Sequence, residues 1–280
     1  MKRLIVNADD FGFTAEVNRG IVDAYRQGVL RSTTLMANGA AFDDAVERAR
    51  LHPRLDIGCH LTLIGGRSVL HPQRPLPGSV PAFLRALASG FSASRIEDEL
   101  AAQVEKILAA GLHPTHLDTH KHTHLAPPVL HAVLSIGARY GIPWIRRPFD
   151  TPIFQAPPNA PWSRQALQRA LKPLEQRLLA AIRRAGLRTT DAFWGFQLTG
   201  ACGEGELEAV LARLPDGVTE LMTHPGYCDQ QLLDAPTRLK QSRRLELDAL
   251  RSDRVAREVE RAGVQLCGFG ELGAASPRST

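Results

Sequence analysis

From the N-terminus to residue 271, short runs rich in β-formers alternate with longer stretches of helical periodicity, and this alternation restricts the fold more than any other property of the chain. The strand candidates are RLIVNA (3–8), STTLMAN (32–38), DIGCHLTL (56–63), THLDTH (115–120), WIRRP (144–148), AFWGF (192–196), VTELMTH (218–224) and VQLCGFGE (264–271). Helix candidates lie near residues 15–27, 40–51, 93–110, 127–140, 163–186, 203–213, 237–250 and 253–262, several introduced by capping-type residues such as Thr14 and Ser94. Repeated β–α units build a mainly parallel sheet, because each helix carries the chain back to start the next strand in the same direction. Eight such strands predict an irregular, TIM-like (β/α) barrel formed as a single domain over residues 1–280. An open doubly-wound sheet is disfavoured, since no G-x-G-x-x-G follows the first strand. Two Pro-rich stretches, VLHPQRPLPGSVP (69–81) and RRPFDTPIFQAPPNAPW (146–162), read as excursions above the barrel mouth that shape a groove.

Composition narrows the function classes. An apolar fraction of 44% with 22% charged residues suits a soluble globular protein with a sizeable core. The net charge of +5 comes mainly from arginines spread along helix-like segments such as 164–188, which reads as a solvated helix face and argues against nucleic acid as a partner. Cys59, Cys202, Cys228 and Cys267 form no C-x-x-C pair, which argues against a zinc ribbon or a redox motif and points to a reducing compartment. No apolar run reaches the ~18 residues of a membrane span, and the apolar start of the chain is short and ends in acids, unlike a signal peptide. The expected location is the cytoplasm. A homodimer is compatible with the sequence but nothing in it specifies one.

The chemistry-bearing residues gather at predicted strand ends. PTHLDTHKHTH (114–124) sets His116, Asp118, His120, His122 and His124 at alternate positions, so an extended chain would turn them to one face. They cannot all reach one ion, because a strand rises about 3.3 Å per residue while zinc ligands sit at about 2.0–2.2 Å. One or two at most are ligands, and the rest come from elsewhere. NADDFG (7–12) offers Asp9 and Asp10, pointing to opposite sides if the strand persists, so one can hold an ion while the other acts as base. His60 in GCHL and His224 in MTHPGY end two further strands. A carboxylate with two imidazoles makes a divalent-metal set with open positions for water.

NADDFG, DIGCHL, PTHLDTHKHTH and THPGY, in this order and at these separations, resemble the YdjC-like (ChbG-like) carbohydrate deacetylases over nearly the whole chain. The resemblance implies a deformed (β/α) barrel that hydrolyses N-acetyl groups from amino sugars with one divalent ion, usually described as Mg²⁺. Carried over by position, Asp10, His60 and His120 would hold the ion, with Asp9 as general base and His224 as general acid. A metal-bound water would attack the acetamide. Two imidazole ligands suit Zn²⁺ or another transition metal better than Mg²⁺, so activity with several ions is expected. AGLRTTDAFWGF (185–196) and LPDGVTELMTHP (214–225) are similar to the hopanoid-biosynthesis-associated branch, which implies an N-acetylglucosaminyl lipid as substrate.

Asp118 is a candidate to orient a ligand imidazole, and His124 to reach substrate or back up Asp9. Arg146 or Arg147 is expected to steer an acid, bind a sugar hydroxyl or form a structural ion pair. His116 and His122 have no assigned role. Trp144, Trp194 and Phe196 are candidates for stacking on sugar rings, although aromatics on strands more often pack in the core. Two rival readings are a metal-dependent hydrolase of another bond, such as a phosphoester, and a non-catalytic sugar-binding protein.

Overall fold

A computed structural model describes residues 1–90, 92–151 and 162–273. Seven strands, β1 (Lys2–Phe11), β2 (Ser32–Leu35), β3 (Asp56–Leu61), β4 (His116–Thr119), β5 (Trp144–Ile145), β6 (Ala192–Trp194) and β7 (Gly217–Thr223), form one parallel sheet in the order β5-β4-β3-β2-β1-β7-β6. The sheet curls until its ends meet: the Ile145 amide donates to the Arg188 carbonyl at 2.8 Å, and the Thr151 amide to the Phe193 carbonyl at 3.0 Å.

The expected eighth wall strand is cut short. Only β8 (Gln265–Leu266) pairs, with the foot of β1 at Arg3 and Leu4. β7 takes one edge of β1 from Lys2 to Ala8, and β2 takes the other edge from Asn7 upward, so β8 has only the lowest part of that edge left. Beyond it the chain turns under the barrel, where the Phe269 amide donates to Asp56 at 2.5 Å.

Ten helices accompany the sheet: α1 (Ala15–Gln27), α2 (Phe42–Leu51), α3 (Val80–Ala88), α4 (Ala93–Ala109), α5 (Pro127–Tyr140), α6 (Trp162–Arg184), α7 (Glu204–Leu211), α8 (Gln230–Asp234), α9 (Gln241–Leu250) and α10 (Asp253–Arg261), as counted among the described residues. Thr14 caps α1 by accepting from the Val17 amide, while Ser92, not Ser94, caps α4 by accepting from the Arg95 amide. The Pro-rich stretch at 69–81 leads into α3, a helix its prolines concealed, whose cap is Ser79. Most of the second excursion, 152–161, lies outside the described residues. None of the described helices is long and apolar enough to cross a membrane.

Strand alternation divides the core. Leu4, Val6 and Ala8 of β1 pack outward with Cys59, Leu117, Ile145 and Leu221 against the helices. Inside the foot of the barrel, Ile5 meets Trp144, Val218, Cys267 and Phe269. Above this apolar floor the inward positions turn polar: Asn7, His116 and Glu220, then Asp9, His60, Asp118 and Arg146, all buried. Trp144 and Trp194 are core residues, at 8% and 3% exposure, and therefore do not offer a stacking face.

Candidate metal and catalytic site

β1 supplies both carboxylates because it does not stay regular. Asp9 follows Asn7 on the inward face, and its pairing register with β2 then shifts between Ala8 and Phe11. Asp10 takes a left-handed backbone, φ 71°, which a short side chain able to bond locally tolerates better than most. The expected division of the two aspartates to opposite sides of the sheet is thereby replaced: both reach the barrel mouth.

Asp10, His60 at the end of β3, and His120, the first residue of the 3-10 turn His120–Leu125, form a compact triangle. Asp10 Oδ1 lies 3.4 Å from His60 Nε2 and 3.2 Å from His120 Nδ1, and the two ring nitrogens are 3.2 Å apart. Donors about 2.0–2.2 Å from one zinc-type ion stand roughly 3.3–3.6 Å apart at tetrahedral angles, so the triangle has the size of a ligand set. Asp10 Oδ1 is buried and accepts no hydrogen bond. The donor set fits a divalent ion, with one hard oxygen and two imidazoles.

The supporting contacts fix each donor. His60 Nδ1 donates to Asp118 Oδ1 at 2.7 Å, which leaves Nε2 facing the triangle. Thr34 Oγ1 lies 3.2 Å from His60 Nδ1 and donates to Asp118 Oδ2 over the same distance. Arg243 of α9 donates to Asp10 Oδ2 at 2.5 Å and leaves Oδ1 free toward the histidines. Burial alone would lower the pKa of His60, but the negative charges of Asp118, Asp10 and Asp9 push it up to about 10. Burial would raise that of Asp10, yet Arg243, His120 and His60 hold it well below the usual carboxylate range.

Asp9 sits beside this triangle in a two-pronged grip from Arg146, Nη1 to Oδ2 and Nη2 to Oδ1, both at 2.7 Å. The same guanidinium reaches Asp118 at 2.5 Å and Glu220 at 2.7 Å, so one buried cation serves three buried carboxylates. Burial would raise the Asp9 pKa, but Arg146, His60 and His224 outweigh it and keep the carboxylate ionised well below its ordinary range. The neighbouring Glu220 is pushed up to about 7, because burial there outweighs Arg146. Arg146 is 1% exposed, enclosed among these carboxylates.

His224, just past β7, points Nε2 at Asp9 Oδ2 across 3.8 Å, and its amide donates to Glu246 at 2.5 Å. Burial, only partly offset by Asp9 and Asp10, pulls its pKa down to about 4, so the ring is neutral at pH 7. His124 turns away from the mouth: Nδ1 lies 2.6 Å from Thr119 Oγ1 and Nε2 donates to the Arg146 carbonyl at 3.2 Å, which supports the residue that grips Asp9. His122, φ 53°, stacks on Phe196 with ring centroids 5.4 Å apart. Lys121 is exposed. Arg147 faces outward to the Asp191 carbonyl at 2.7 Å and to Glu175. His116 lies under Asp118, 1% exposed, at the floor of the polar interior.

Four groups were not singled out from sequence: Asn7, Glu220, Arg243 and Glu246. Glu220 carried a signal, since it is the one charged residue in the strand run VTELMTH. Arg243 carried none, because its run of basic residues reads like a solvated helix face.

A family model described as YdjC-like protein matches residues 3–261. A protein named carbohydrate deacetylase from Brevibacillus brevis is 36% identical over 273 residues, covering 97% of this chain and all of the relative. Another of the same name from Geobacillus stearothermophilus is 34% identical, covering 96% of this chain and 97% of its own. Among solved structures, a protein from Enterococcus faecalis described in terms of cellobiose-phosphate cleavage superposes with a TM-score of 0.73 at 24% identity, covering 97% and 98% of the two chains. That structural likeness carries the fold, and the family-wide match carries the kinship: the chain belongs to the YdjC-like protein family.

Proposed function

We propose that this chain is a metal-dependent carbohydrate deacetylase, folded as one barrel domain, that removes the N-acetyl group from an N-acetylglucosamine-containing carbohydrate or glycolipid. The observation that carries the reading is the triangle of Asp10, His60 and His120 at 3.2–3.4 Å with Asp9 and His224 beside it. The names of the relatives supply the substrate class, a carbohydrate, and the bond, that of an acetyl group.

Asp10 Oδ1, His60 Nε2 and His120 Nδ1 would hold the ion, and the two imidazoles favour Zn²⁺ or a similar transition metal over Mg²⁺. Bound there, it supplies Lewis acidity to the amide carbonyl and to water. Asp9 accepts the proton of the attacking water: as an ionised, low-pKa carboxylate it is always ready, and it is effective only toward an acidified water. His224 is neutral at rest, so the proton it gives the leaving amine is the one Asp9 has collected and passed across the 3.8 Å gap. The balance is one amide and one water to acetate and a free amine. Arg146 keeps Asp9 in place throughout.

The test is acetate release from acetylated chitooligosaccharides. It is expected to cease on chelation, to return on adding Zn²⁺ or Co²⁺, and to be absent in His120→Ala. Phosphate release from a phosphoester without acetate release would replace this reading with the other hydrolase, and tight glycan binding without turnover would replace it with a binding protein.

A further inference from the structure

We propose that His116 is a positioning residue for Asp9: with a proton on Nε2, it fixes the Asn7 amide and through it the carboxylate. The inference deepens the deacetylase reading and rests on Asp9 being its base.

The ring is caged in one orientation. On β3 the facing residue is Gly58, where a Cβ would stand 2.4 Å from the imidazole, so any other residue there would displace it. On its other side Phe269 stacks at 4.0 Å with the planes 23° apart. Its two nitrogens then meet fixed partners, Nε2 at 3.1 Å from Asn7 Oδ1 and Nδ1 at 2.9 Å from Thr115 Oγ1. Asn7 Nδ2 in turn donates to Asp9 Oδ1 at 3.1 Å.

The Asp9 end fixes the direction of this chain. Asp9, ionised against Arg146, only accepts, so Asn7 presents its amide nitrogen upward and its oxygen downward. His116 must therefore donate from Nε2. Burial and Arg146 lower the pKa of the ring. The Thr115 hydroxyl in turn donates to Asp56 Oδ1 at 2.8 Å. The donors thus run one way toward the mouth, from His116 through Asn7 to Asp9. Loss of the His116 donor leaves Asn7 Oδ1 without its partner and loosens the amide that steadies Asp9.

The experiment uses zinc-loaded full-length protein with N,N′-diacetylchitobiose as probe. His116→Leu, which removes the Nε2 donor, is expected to lower kcat about tenfold with KM and zinc affinity unchanged. His116→Gln, whose amide nitrogen replaces Nε2, is expected to stay within about threefold of the parent. Long-range ¹H–¹⁵N spectra of the parent are expected to show His116 protonated on Nε2. Parent-like kcat in His116→Leu, equal impairment of His116→Gln and His116→Leu, or an unprotonated Nε2 would each overturn the proposal. Absence of acetate release by the parent would instead sink the deacetylase reading, and the spectra would still decide the tautomer.

Discussion

Asp10 shows how a single residue departs from what strand alternation predicts. The sequence places Asp9 and Asp10 on opposite faces of β1, and a left-handed φ of 71° at Asp10 brings both to one site. That departure was not legible, because a register shift depends on which strand pairs alongside. The contact of Asp118 with an imidazole was legible in part: Asp118 was a candidate to orient one, but the ring it meets, His60, comes from β3 and not from its own run. In the metal-free chain His60 sits near 10 and is charged at pH 7, so an incoming ion must displace its proton. Calorimetry in buffers of different ionisation enthalpy is expected to report about one proton released per ion near neutral pH, and affinity rising as pH is raised toward that pKa. No proton release would contradict the assignment of His60 as a ligand. Arg146→Met is expected to destabilise the fold by about 3–5 kcal/mol in urea unfolding, because three buried carboxylates lose their shared cation. A loss below ~1 kcal/mol would mean that the ion cluster is not what orders the polar interior.

At the level of elements, helices were easier to place than strands. The helical patterns at 15–27 and 127–140 coincide with α1 and α5, whose capping threonine and leading prolines stand in the sequence. The strand expected at 264–271 shrinks to Gln265–Leu266 because a competing strand already holds the edge it would need. The alternating His run was legible only in part: His116 and Asp118 share the inner face of β4, but the strand stops at Thr119 and the next residues coil into a 3-10 turn. Gly58 on β3 is a packing requirement, so Gly58→Ala is expected to lower both stability and activity by driving a methyl group into the His116 ring. Unchanged thermal stability would show that the ring yields freely. His124 anchors the 3-10 turn with its pKa pulled down to about 3 by burial and Arg146. A depressed histidine pKa means that the unfolded chain takes up a proton first, so this stability is full above pH ~6.5 and is lost as pH falls toward 3. Replacing it by the non-titrating His124→Gln is expected to remove about 2 kcal/mol of the stability change between pH 6.5 and 5, seen as a shallower pH dependence of urea midpoints.

Across the whole molecule, the alternation of strands and helices determined the barrel, and the clustering of acids and histidines at strand ends located its working face. What the sequence could not carry was layering: an apolar floor of Ile5, Trp144, Val218 and Phe269, a neutral polar tier around Asn7 and His116, and a charged tier at the mouth. Arg243 reaches that upper tier from α9, a helix that looks fully solvated until its packing against the barrel is seen. The account centres on one ion at the mouth held by three specific atoms. Its most direct measurement is anomalous diffraction from the protein crystallised with Zn²⁺ or Co²⁺. The predicted result is a single strong peak about 2.0–2.2 Å from Asp10 Oδ1, His60 Nε2 and His120 Nδ1. A peak ligated instead by Asp9 and Asp118, or no peak within the barrel, would contradict it.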